Sequence, residues 1–213
     1  MSKIINKVVG ILIASDFFLN LGWGLLAPVF AIFIVQNIAV RDMSQAAEVA
    51  GFAALFYWIT KSILEIPFGH FLDKHRGEKD DFWFMVIGTF ITAIVPIGYL
   101  FSSVPWHIYL LQILHATGMA MALPSWSAIF TRHIDKGKEA FEWSISSTSI
   151  GAGAGIAGGL GGIMAGVVGF KVVFIFVSLF TAMAAILLIV IKDNIFKKEK
   201  DSVIIPSRPT VEP

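Results

Sequence analysis

The residues able to do chemistry in this sequence sit where charge is expensive. Asp16 lies about eight residues into an apolar stretch covering 8–36, and Asn20 and Trp23 follow it on the same helical face. A second apolar stretch, 47–72, sets Tyr57, Lys61 and Glu65 on one stripe, with Lys61 able to pair with Glu65 one turn away. A third stripe, on the stretch 106–130, carries Gln112, His115 and Met119. Ionisable side chains inside a span mark a substrate or ion pathway, a buried pair or a proton relay. Polar stripes on three helices predict a shared interior cavity bordered by Asp16, Asn20, Tyr57, Lys61, Gln112 and His115. Asp16 has no partner on its own helix and is the first choice for a titrating or substrate-facing group, with proton coupling as one form of that role. Lys61 and Glu65 read as part of the pathway or as a structural pair. His115 reads as a relay or as a hydrogen-bonded packing residue.

The elements that must hold these residues follow from composition. Of 213 residues, 56% are hydrophobic and 15% are Asp, Glu, Lys or Arg, against about a quarter charged in soluble domains. Six stretches (8–36, 47–72, 82–101, 106–130, 144–167 and 170–191) reach the length needed to cross a bilayer, which is roughly 20 apolar residues. Lipid offers no partner to a bare backbone, so each must be a helix unless the chain closes into a barrel. Barrel strands alternate apolar and polar residues, and Val172 to Ile191 does not. Lys3 and Lys7 precede the first stretch as in a secretion signal, but its length makes it a span. The expectation is an all-α integral membrane protein with six transmembrane helices over 1–191 and a disordered cytoplasmic tail over 192–213. Without cysteine there is no disulfide or thiolate site. No His, Glu and Asp cluster has metal-ligand spacing, so no metal or cofactor is expected.

Charge sets the orientation. With a cytoplasmic N-terminus, thirteen Lys and Arg fall on the cytoplasmic side and two, Arg41 and Lys171, outside. That excess places both termini in the cytoplasm, and it explains the basic loops without nucleic acid. Trp106, His107 and Tyr109 read as an interfacial aromatic belt. The fifth stretch is rich in glycine, and Gly151, Gly155 and Gly159, like Gly158, Gly162 and Gly166, recur every four residues. Small residues at that interval predict close helix packing in lipid. Gly22 and Pro28 in the first stretch match Gly118 and Pro124 in the fourth at an offset of 96. Such a match predicts an inverted three-plus-three repeat, and Gly- and Pro-interrupted spans in matching positions point to a transporter binding site.

The loop after the second stretch contains Gly69, Asp73, Lys74, Arg76, Gly77 and Lys79, preceded by Pro67. It resembles the signature loop of the major facilitator superfamily, although the second glycine arrives one residue late. The resemblance implies a gating loop in which Gly69 lets helix ends approach and Asp73 caps a neighbouring helix or pairs with a base. It also implies a six-helix bundle like the superfamily's N-terminal half, rocking against a second bundle about a midplane site. Gln112 and His115 stand where the family's fourth helix often has Arg and Gln, so a mechanism built on that arginine is not expected here. The family's antiporters carry a Gly-Pro in the fifth helix that is missing here, which removes any implied direction. The resemblance implies a secondary transporter in a lipid bilayer, in the plasma membrane, moving a small-molecule substrate. The bundle would work as a homodimer or with a separately encoded second half, unless it is a truncated product. A non-transporting scaffold or accessory subunit is the alternative. An intramembrane enzyme is not expected, because there is no Gly-x-Ser-Gly nucleophile and no second intramembrane aspartate.

Overall fold

A computed structural model of the chain describes residues 5–39, 42–74 and 77–196. They form α1 (Lys7–Leu26), α2 (Phe30–Asn37), α3 (Met43–Lys74), α4 (Lys79–Tyr99), α5 (Pro105–His133), α6 (Glu139–Val168) and α7 (Phe170–Ile189). Among the described residues there is no strand. Six helices, all but α2, are long and apolar enough to cross a membrane. The protein is an all-α, multi-pass membrane protein.

The first span departs from expectation. Instead of one helix over 8–36, the chain turns at 27–29 and restarts as α2. Pro28 offers no N–H, and its ring collides with the carbonyl one turn earlier. Pro67, Pro96 and Pro124 lie inside helices that run on through them. The break at Pro28 therefore has no counterpart at Pro124. At the other end, residues 192–196 still form a helical turn, and Ile195 is buried in the core, so they belong to the bundle and not to a tail. The remainder of the expected tail, 197–213, lies outside the described residues.

The core has two apolar clusters along the bundle. One gathers Leu25, Phe33, Tyr99 and Phe174; the other gathers Leu12, Phe82, Phe130 and Leu188. α1 packs on α6 and α7, α4 on α5 and α7, and α3 on α5. In lipid, helices gain from close backbone approach and interhelical hydrogen bonds more than from apolar burial, and both are present. A side chain on Gly88 would sit 2.4 Å from the Gly118 carbonyl, where α4 crosses α5. One on Gly161 would sit 2.2 Å from the Leu25 carbonyl, where α6 crosses α1. Ser178 donates to the Ala93 carbonyl (2.6 Å) and Ser15 to that of Ala184 (3.1 Å), tying α7 to α4 and to α1.

Inside this bundle, a different glycine face from the expected one makes the close contacts. Gly151, Gly155 and Gly159 have nothing within 4 Å of where a side chain would start. Gly153, Ala157 and Gly161 make the contact with α1 instead, against Phe17, Gly24 and Leu25. The spacing of four residues was right, but the face is two residues out of phase.

Candidate functional site

Trp23 on α1, Tyr57 on α3, and Gln112 and His115 on α5 meet around a cavity of about 300 Å3. The break in the first span forms part of its rim, through Ala27 and Phe30. Trp58, at 60% exposure, and the exposed Ala27 and Ala54 leave its mouth open at the bundle surface. His115 stacks face to face on Trp23, with ring centres 3.8 Å apart and planes 6° from parallel. Tyr57 leans on the same imidazole at 4.7 Å. Trp23 Nε1 and His115 Nδ1 are both buried without a hydrogen-bond partner. The stack fixes three side chains from three helices as one aromatic wall.

The polar stripes do not all reach this cavity. Asp16 opens on a separate chamber of about 30 Å3 between α1, α4 and α5, alongside Ser15, Thr89 and Met119. The hydroxyl of Thr89 is spent on the Met85 carbonyl (2.7 Å) and that of Ser15 on Ala184. Asn20 donates to the Asp16 backbone carbonyl at 2.8 Å and lies 3.4 Å from its carboxylate. Among the described residues no cationic side chain pairs with Asp16. Lys61, 8% exposed, donates to Glu65 at 2.8 Å and lies 5.7 Å from the centre of the Trp58 ring. Glu65 in turn borders an open groove of about 510 Å3 between α3 and α5, with Ser62, Pro124 and Ser127. The expected single cavity is thus three spaces: an aromatic cavity, a small chamber at Asp16 and a groove at Glu65. Along α3, Tyr57, Lys61 and Glu65 link the first to the third at one-turn intervals.

The contacts expected of Gly69 and Asp73 in the loop after α3 are not made among the described residues. Nothing lies within 4 Å of a side chain placed on Gly69, so it permits no close approach inside this bundle. Asp73 is exposed at the end of α3 with Lys74, and Asp73 makes no hydrogen bond or ion pair among the described residues. Gly77 has φ 144°, a turn conformation closed to residues with a side chain. Arg76 lies outside the described residues.

Sequence reasoning missed the ionic network on the same side of the bundle. Asp81, 1% exposed at the start of α4, takes an ion pair from Arg132 at the end of α5. His133 meets Glu78 at 2.8 Å. Asn6 caps α1 by accepting from the Val9 N–H, and donates to the His133 carbonyl (2.6 Å) and the Asp135 carboxylate (3.2 Å). These charges read in the sequence as loop charges obeying topology, and nothing in their spacing announces partners 51 or more residues apart.

The chain matches the family model of the Major Facilitator Superfamily over residues 12–210. It belongs to that superfamily. No curated protein matches it. Superfamily members are transporters, which gives the aromatic cavity and its mouth a context: the helix bundle is of a transporter type. Among the described residues no group of His, Asp and Glu has the arrangement of a metal site.

Proposed function

We propose that this bundle is one half of an alternating-access transporter for a small solute, and that the solute passes through the cavity walled by Trp23, Tyr57, Gln112 and His115. The supporting observation is that this cavity joins polar side chains of three helices at the break in the first span. α3 and α6 are the least covered spans, each 17% buried against 39–56% for the others. A second bundle laid across α3 would close the cavity mouth, because Ala54 and Trp58 belong to that face. The partner is a second copy of this chain or a separate six-helix half, in the plasma membrane with both termini cytoplasmic. Asp73 then makes its contacts across that interface, which is consistent with its having no hydrogen bond or ion pair inside the bundle among the described residues.

One observation favours a non-transporting scaffold instead: Gln112, in the cavity wall, stands where the family often has arginine. The two readings part on mass and on replaceability. Purified protein in nanodiscs, weighed with lipid subtracted, gives two bundles per particle if the transporter reading holds. A lone protomer at every concentration, with Asp16 and Lys61 freely replaceable in cells, removes it.

A further inference from the structure

The cavity also specifies what kind of solute it can hold. It has no carboxylate, lysine or arginine in its wall. The ionisable groups nearest to it along the stripes are accounted for elsewhere: Lys61 and Glu65 pair with each other at 2.8 Å, and Asp16 faces its own chamber. Among the described residues no carboxylate is hydrogen-bonded to His115. A charged solute entering such a space would lose its water without gaining a counter-charge, and that is strongly unfavourable. A zwitterion fares no better here.

What the wall does present is flat rings and a few polar atoms. The Trp23–His115 stack and the tilted Tyr57 give a surface on which a planar ring can lie at the usual offset of aromatic pairs. Gln112 brings an amide, which donates and accepts. The NH2 of that amide can donate to an acceptor atom on a ring stacked against this wall. At about 300 Å3 the space stands at the small end of ligand pockets.

We infer that the cavity takes an uncharged, planar, ring-containing solute bearing at least one hydrogen-bond acceptor, such as a small heteroaromatic molecule. The inference borrows its biological role from the transporter reading, but binding itself can be measured without transport.

Three probes of nearly one shape test it by calorimetry on the full chain in nanodiscs, with empty nanodiscs subtracted. Quinoline is neutral, N-methylquinolinium is its cation, and quinoline-2-carboxylate is an anion of the same ring. Quinoline is expected to bind saturably, and both ions at least tenfold more weakly. Trp23→Leu should weaken quinoline at least tenfold, and Trp23→Phe, which keeps a smaller ring, should fall between. Ile186→Ala, on the exposed face of α7, should leave binding unchanged. Helical circular dichroism and melting temperature confirm that each variant is folded. Tighter binding of either ion, no saturable quinoline binding, or full binding by folded Trp23→Leu overturns the inference. Saturable binding without any flux in vesicles would leave the solute class standing and remove the transporter reading. Flux of an ion with no quinoline binding would do the reverse.

Discussion

At the scale of single residues, the consequence of a charge depends on what it faces. Asp81 is sealed in the bundle and Arg132, its partner, is 37% exposed. Removing one member of a fully buried pair costs about 3–5 kcal/mol. Because water reaches Arg132, Arg132→Met should cost less, about 2 kcal/mol, read as a fall in melting temperature in detergent. An unchanged melting temperature would mean that water enters to replace the arginine. Asp135, between α5 and α6, is held below the ordinary carboxylate value of 3.8, first by the Asn6 amide and then by Lys138. A lowered carboxyl value means that the ionised form is stabilised by folding. That contribution is present above pH 3.8 and is lost as the pH falls through the lowered value. Asn6→Ala should therefore blunt the loss of melting temperature with acid in that range, and it should also remove the cap of α1 at about 1 kcal/mol. Residue identity foretold some of this geometry. The Lys61–Glu65 pair was readable because both lie on one helix. The Asp81–Arg132 and His133–Glu78 contacts were not, because they join helices whose crossing no local spacing encodes.

At the scale of elements, hydropathy was enough to locate the spans, since lipid leaves the backbone no alternative to helix. It was not enough to place the interruption in the first span. Pro28 breaks its helix and Pro124 does not, and the outcome turns on whether the neighbouring helices hold the chain in line. The glycine faces of α6 show the same limit. Eight glycines of α6 make several small-residue stripes, and only the backbone of α1 around Phe17 and Leu25 selects Gly153 and Gly161. A pair of variants tests that selection. Gly161→Ala must displace the Leu25 backbone and should cost about 1–3 kcal/mol as an overpacked contact. Gly155→Ala meets open space and should stay within about 0.5 kcal/mol of the parent. Equal effects from the two would show that α6 packs on α1 by another face.

At the scale of the whole molecule, family membership and the aromatic cavity carry the account together. The sequence pointed to the cavity because Trp23, Tyr57, Gln112 and His115 fall on polar stripes, and these four residues do meet. It also placed Asp16, Asn20 and Lys61 on the same space, and none of the three lines it, because a stripe gives a direction around a helix but not the height at which neighbours open. Asp16 sits two turns from Trp23 along α1, far enough for Met119 and Thr89 to wall off its chamber. The central claim is that the aromatic cavity opens in turn to each side of the membrane. The chain has no cysteine, so Ala54→Cys, exposed at the cavity mouth on α3, introduces a single thiol on the proposed path. We would measure its labelling by a membrane-impermeant maleimide applied separately to each face of vesicles of known orientation. The account predicts labelling from both faces, with each slowed by a solute that occupies the cavity. Labelling from one face only, at the same rate with and without solute, would contradict it.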